Sequence, residues 1–293
     1  MPSHVASRFY DIDRWMERRP GPRPREVGAL GDVTALDLVH LQCHFGLDTL
    51  AWADGGARVT GVDFSPVAVR TARVLAARAG LAERASFVCA TVQDAAEALG
   101  HRTFGIVYVS LGALCWLPSV EQWAGQVAAL TRPGGRLYLH DSHPLSWSLA
   151  DEAPVITHTY FEEPEPFVDD SGQTYSDADR PLANTRTYEW NHSIGEVVTA
   201  VVGHGLRIDV LTEHDWTVHQ RFPWLVESTP RALDDAGGPT PHATHLHPGR
   251  QPVALSLREC RPRACPGPAR RQVAGGSSEV QIVHPAPDTL RGS

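Results

Sequence analysis

Asp63 closes the β-rich run Arg58–Val62, and before it the turn Gln42-Cys43-His44-Phe45-Gly46 ends the apolar run Ala35–Leu41. An acid at the carboxyl end of a second strand, after a strand–turn–helix, can accept hydrogen bonds from both hydroxyls of a ribose. The stretch LDLVHLQCHFGLDTLAWADGGARVTGVD therefore points to a nucleoside-containing cofactor. Its turn has one glycine and no basic residue, so it lacks the G-x-G-x-x-G that closes on a pyrophosphate. A nicotinamide oxidoreductase is disfavoured on that ground. His143, just beyond the run Arg136–His140, and His192, beyond an aromatic segment, are the candidate catalytic bases. An imidazole titrates near neutrality and can take a proton from a hydroxyl or phenol. The histidines of HATHLH (His242, His245, His247) have no matching acid or cysteine beside them, so no specific metal site is expected.

Composition narrows the chemistry further. The chain has 293 residues, a net charge of −8 and 42% hydrophobic residues, as in a globular protein with a sizeable core. The acidic balance argues against a nucleic-acid partner. There is no lysine, which excludes Schiff-base and pyridoxal-phosphate chemistry on this chain. Five cysteines without framework spacing fit a reduced, cytoplasmic protein. No apolar run has membrane-spanning length and no secretory segment opens the chain, so no membrane partner is expected.

The elements that must position these residues follow an alternating pattern. After Asp63, Ser65-Pro66 supplies an N-cap and a proline at the first helical position of a helix running to about Ala79. Ser86–Ala90 predicts a third strand, Asp94–Leu99 a short helix, and Phe104–Ser110 a fourth strand. Pro118–Leu130 predicts a helix, and Arg132-Pro133-Gly134-Gly135 a turn into a fifth strand, Arg136–His140. This spacing argues for parallel βαβ units with right-handed crossovers. Residues 142–192 break the alternation with acids, prolines and aromatics, and β-like runs at Val155–Phe161 and Thr185–Trp190. They read as an inserted lid over the carboxyl edge of the sheet. Ser193–His204 predicts a helix, Leu206–Leu211 a sixth strand and Pro252–Leu257 a seventh, antiparallel one. The domain organisation expected is thus an N-terminal flap (1–34), an α/β domain (35–141 and 193–258), the lid (142–192) and a flexible tail (259–293).

Several phrases together resemble class I S-adenosylmethionine-dependent methyltransferases. HLQCHFGLDTL is similar to the G-x-G-x-G loop of that family, with Gln42 and His44 at the first two glycine positions and Gly46 at the third. It resembles a small-molecule subgroup carrying this substituted loop. FGIVYVS resembles the family's fourth strand, with Gly105 where an aspartate is usual, and LTRPGGRLYL its L-x-P-G-G turn. EWNHSIGEVVTAVVGHGLRIDVLTEHDW resembles the last helix and penultimate strand of the subgroup.

The resemblance implies a Rossmann-like seven-stranded methyltransferase sheet with helices on both faces and S-adenosylmethionine as cofactor. It assigns the cofactor to Tyr10, Gln42, Cys43, His44, Phe45, Gly46, Asp63, Phe64, Ser65, Thr91, Val92 and Ser110. Asp63 would hold the ribose, Phe64 and Val92 would sandwich the adenine, and Ser110 would lie under the sulfonium. Thr91 stands where the family places an acid for the adenine amine, so that contact falls to the Thr91-Val92 backbone or to Asp94. Trp116, His143, Tyr160 and Trp190 are the candidate acceptor wall. The function implied is methyl transfer to O, N or C of a small molecule, such as a secondary metabolite, with a homodimer as the candidate assembly. The alternative is a protein that binds the cofactor without transferring its methyl, as a scaffold or a rearrangement catalyst.

Overall fold

The computed structural model describes residues 10–170, 186–214, 216–217, 222, 224, 244–245 and 277–283. Two short helices, α1 (Ile12–Arg18) and α2 (Pro24–Leu30), precede the first strand, β1 (Asp37–Leu41). Alternation follows: α3 (Leu47–Asp54), β2 (Arg58–Asp63), α4 (Pro66–Arg78), β3 (Ala85–Cys89), α5 (Ala95–Ala98), β4 (Phe104–Ser110), α6 (Val120–Leu130) and β5 (Thr131–Ser142). Then come α7 (Pro144–Ser148), β6 (Phe167–Asp169), β7 (Thr187–Glu189), α8 (Ile194–Gly203) and β8 (Arg207–Glu213). Three further strands complete the described elements: β9 (Trp216–Thr217), β10 (Thr244–His245) and β11 (Ser277–Val283).

The main sheet has the order β3-β2-β1-β4-β5-β11-β8. Strands β1 to β5 pair in parallel, whereas β11 runs antiparallel between β5 and β8. Helices cover both faces, so the central strands are mostly apolar, and β4 is buried along its whole length. Its residues still alternate between two cores, as the strand period requires. Val107 and Val109 pack with α6 and α8 on one face, and Ile106 and Tyr108 with α2, α3 and α4 on the other. The order reverses between β1 and β4, which opens a crevice at their carboxyl ends.

Local signals explain the element boundaries. Ser65 Oγ accepts from the Ala68 amide at 3.3 Å, ahead of Pro66 at the helix start. Ser193 and Glu196 form a capping box at the start of α8. Gly61 is required by packing, because a Cβ there would stand 2.6 Å from the Phe87 ring and 2.7 Å from Cys43 Sγ.

Three expectations are corrected, and one falls outside the described residues. The strand beside β5 is Ser277–Val283, so part of the segment expected as a flexible tail lies inside the sheet. The expected seventh strand, 252–257, lies outside the described residues, as do His242 and His247. β5 begins at Thr131 rather than Arg136, because Thr131 pairs with Phe104 across a register shift. Within 142–192, Val155–Phe161 forms only the isolated bridge Leu149–Ile156; the hairpin joins β6 to β7 instead. Helix α2 was not anticipated, since Pro24 at its start reads equally well as a turn. Among the described residues, no helix is long and apolar enough to cross a membrane.

Candidate active site

The turn after β1 carries three left-handed residues, at Gln42 (φ 57°), His44 (φ 54°) and Gly46 (φ 82°). They occupy the three glycine positions of the loop pattern. A left-handed residue other than glycine costs about 1–2 kcal/mol, and such strain concentrates at ligand sites. Only the third position must be glycine on packing grounds: a Cβ on Gly46 would lie 2.7 Å from the Phe87 ring and 3.2 Å from the Ala72 methyl. Between the left-handed residues, Cys43 and Phe45 turn into the core, 3% and 1% exposed. Burial pushes the Cys43 thiol well up, with Asp63 adding to the shift. Tyr10 packs on the loop, its ring centroid 5.4 Å from that of His44 and 4.8 Å from that of Phe45.

Asp63 stands at the end of β2 beside this turn. Its Oδ2 accepts from the His44 amide at 2.8 Å and its Oδ1 from the Ser65 amide at 2.9 Å. Each oxygen keeps a lone pair, which suits it to a further pair of donors. Burial raises its carboxyl above the ordinary value, and the two amides offset part of that shift. Phe64, the next residue, exposes 72% of its surface, an apolar platform that a flat ring would cover. Val92 is instead buried in the core, while Thr91 Oγ1 donates to Asp94 Oδ2 at 2.7 Å.

Ser110, at the end of β4, lies over a polar cluster that the sequence reading missed. Its hydroxyl donates to Asp48 Oδ2 at 3.4 Å, and Arg23 Nη2 donates to the same carboxylate at 3.2 and 3.3 Å. Arg23 Nη1 and the Tyr108 hydroxyl both donate to Glu26 Oε1 at 2.7 Å. Burial raises Glu26, with Arg23 opposing. At Asp48 burial acts in the same direction, but Arg23 and His40 outweigh it and hold the carboxyl below its usual range. His40 packs under Tyr108 with Nδ1 2.8 Å from Thr49 Oγ1, and burial depresses its pKa to about 4. Arg23 and Asp48 are 25 positions apart in the chain, so no local pattern links them.

A second missed residue is Asp141, at the end of β5. Its Oδ1 accepts from the Gly112 amide at 2.6 Å and the Ser142 amide at 2.7 Å. Its Oδ2 accepts from Leu114 at 2.9 Å and Ala113 at 3.1 Å. This one carboxylate ties down the loop after β4. A carboxylate at a strand's carboxyl end was the available signal, as it was at Asp63. Beside it lies a pocket of about 500 Å³ of empty space, open solvent included. Leu114, Cys115, Ser142, Trp147, Trp190 and His192 contribute to its walls.

Of the candidate acceptor residues, Trp190 therefore lines this pocket. Trp116 is 45% exposed, and the Tyr160 hydroxyl accepts from the Ile194 amide at 3.4 Å. His143 caps α7, its Nδ1 accepting from the Leu145 amide at 3.1 Å and its Nε2 lying 2.6 Å from Glu213 Oε1. His192 has Nδ1 2.7 Å from Glu162 Oε2, and Nε2 2.9 Å from the Leu117 carbonyl and 3.1 Å from that of Leu114. Both rings are committed to protein partners, so neither presents a free lone pair to a ligand in this arrangement.

A left-handed loop, a strand-end acid and a parallel sheet whose order reverses at β1 and β4 give the site the form of a nucleoside-binding crevice. Residues 38–135 match the family described as "Methyltransferase domain". No curated protein matches the chain. Among solved structures, an S-adenosylmethionine-dependent methyltransferase from Methanosarcina mazei shares the fold with a TM-score of 0.54 at 14% identity, over 91% of this chain and 99% of that one. The glycopeptide N-methyltransferase MtfA, complexed with S-adenosylmethionine, gives a TM-score of 0.48 at 17% identity over 89% of this chain and 92% of its own. The cyclase SpnF gives 0.45 at 16% identity; 69% of this chain is covered, and it spans 61% of that protein's length.

Proposed function

We propose that this protein transfers the methyl group of S-adenosylmethionine to a small-molecule acceptor held in the pocket between β5, α8 and the loop after β4, as a cytoplasmic member of the subgroup with the HLQCHFG loop. One observation carries the reading: the cofactor loop and the pocket share a wall. Gln42 Nε2 donates to the Ala113 carbonyl at 2.7 Å, and the next two residues, Leu114 and Cys115, line the pocket.

S-adenosylmethionine supplies an electrophilic methyl group on a sulfonium. Asp63 would hold the ribose hydroxyls, Phe64 would cover one face of the adenine, and the left-handed loop would bring the start of α3 toward the methionine carboxylate. Trp147 and Trp190 would exclude water and align the acceptor, and orientation of this kind supplies about 7–11 kcal/mol. His143 and His192 need take no proton where the acceptor is already nucleophilic, and the proton that a hydroxyl or amine acceptor sheds once methylated would pass to solvent as the product leaves.

The test is incubation with methyl-labelled cofactor and a host metabolite extract, read by mass spectrometry. A labelled small molecule together with the demethylated cofactor supports transfer. Tight cofactor binding with no labelled product in any fraction would favour a binder that does not transfer. Asp63→Ala should weaken cofactor binding by about 1.5–3 kcal/mol, the scale of a charge-assisted hydrogen bond; unchanged affinity in calorimetry would remove Asp63 from the site.

A further inference from the structure

Residues 190–193 stitch three parts of the chain together at the pocket wall. The Trp190 amide donates to the Cys115 carbonyl at 2.9 Å. Asn191 Nδ2 donates to the carbonyls of Pro144 at 2.9 Å and Thr159 at 3.0 Å, and to Ser148 Oγ at 3.1 Å. His192 joins the loop after β4 to Glu162 of the inserted segment, and only 2% of its side chain is exposed. Glu162 Oε2 also accepts from the amide of Val120 at 3.0 Å, at the start of α6.

The protons of this junction can be counted. Carbonyls only accept, so Nε2 of His192 must carry a hydrogen toward Leu114 and Leu117. A neutral imidazole then has a lone pair on Nδ1, which would face a carboxylate oxygen across 2.7 Å. The His192–Glu162 pair therefore holds one proton beyond a neutral ring and a carboxylate. His143 makes the contrast: its Nδ1 accepts from an amide and Nε2 donates to Glu213, so the neutral ring satisfies both contacts.

We propose that His192 is a positioning residue. With Glu162 it forms a proton-dependent latch that seats residues 144–162 on the loop 114–117 and so sets the shape of the acceptor pocket. The link to the acceptor rests on the function proposed above; the latch itself does not. The other ionisable groups around it have their own partners. Glu196, from α8, accepts from the amides of Glu162 at 3.2 Å and Ser193 at 2.7 Å. The Tyr160 hydroxyl accepts from Ile194, Asp141 from four amides, and Cys115 Sγ lies 3.6 Å from the Gly112 carbonyl. Loss of the one shared proton as pH rises leaves Nδ1 and Oε2 in repulsion and releases the inserted segment.

The experiment is hydrogen–deuterium exchange of residues 155–163 and 188–193, corrected for intrinsic rates, from about pH 6 to 9. In the wild type, protection of these segments should fall by about tenfold toward the alkaline end while β1 and β4 stay unchanged. In Glu162→Gln the amide NH₂ that donates to Nδ1 can no longer accept from Val120, which shares that position, so protection should be lower than in the wild type near pH 6 but independent of pH. His192→Ala should be unprotected throughout, with cofactor affinity within about threefold of wild type in calorimetry. A flat wild-type profile, or a slope that persists in Glu162→Gln, would overturn the latch. If His192→Ala fails to fold, Glu162→Gln alone decides. Absence of methyl transfer with the slope intact would count against the function and leave the latch standing.

Discussion

Replacing Asp141 by asparagine should do more damage than its one-atom change suggests. The carboxylate accepts four backbone N–H groups, two on each oxygen. An asparagine can present its carbonyl oxygen to only one of these pairs. The shorter contacts, to Gly112 and Ser142, favour keeping the oxygen there, which turns the amide NH₂ toward the N–H groups of Ala113 and Leu114. Two charge-assisted hydrogen bonds are lost, roughly 3–6 kcal/mol in sum. Burial already raises the Asp141 carboxyl, so removing the charge returns part of that cost. The net loss expected is about 2–4 kcal/mol. Urea unfolding at neutral pH, with the slope unchanged, should show it as a lower midpoint, and hydrogen exchange should show residues 111–116 losing protection first. A loss below about 1 kcal/mol, or exchange that rises evenly over the domain, would show that Asp141 does not organise the loop.

Three further outcomes follow from the same geometry. His40 has a folded pKa of about 4 against an ordinary value of 6.5, so the unfolded chain takes its proton first. Its contribution is complete above pH 6.5 and is lost as pH falls toward 4, at no more than about 1.4 kcal/mol per pH unit; His40→Gln should flatten the wild-type stability–pH curve by that slope. Gly46→Ala places a methyl 2.7 Å from the Phe87 ring at φ 82°, and should lower stability by about 1–3 kcal/mol in thermal unfolding; an unchanged melting temperature would mean the ring yields freely. Deleting residues 277–293 removes the strand between β5 and β8 and should cause aggregation or a large loss of melting temperature, whereas a soluble, equally stable product would show that the sheet does not need β11.

The alternation of strands and helices up to β5 was legible because burial on both faces of a parallel sheet leaves unbroken apolar runs, and because Ser65-Pro66 marks a helix start by local chemistry. Asp63 and the loop were legible for a related reason: a turn between one strand and its own helix is built from consecutive residues. What the sequence could not decide was partnership over distance. Arg23 reaches Asp48, Asp141 reaches the amides of residues 112–114, and His192 reaches Glu162 only after the sheet has set the elements side by side. The identity of the strand beside β5 was hidden likewise, since Pro252–Leu257 and Ser277–Val283 are both short β-prone runs and pairing register, not propensity, selects between such runs. A histidine in sequence carries only its capacity to move a proton. The acceptors that packing set around His143 and His192 in the tertiary structure committed both rings to holding the fold together at the pocket.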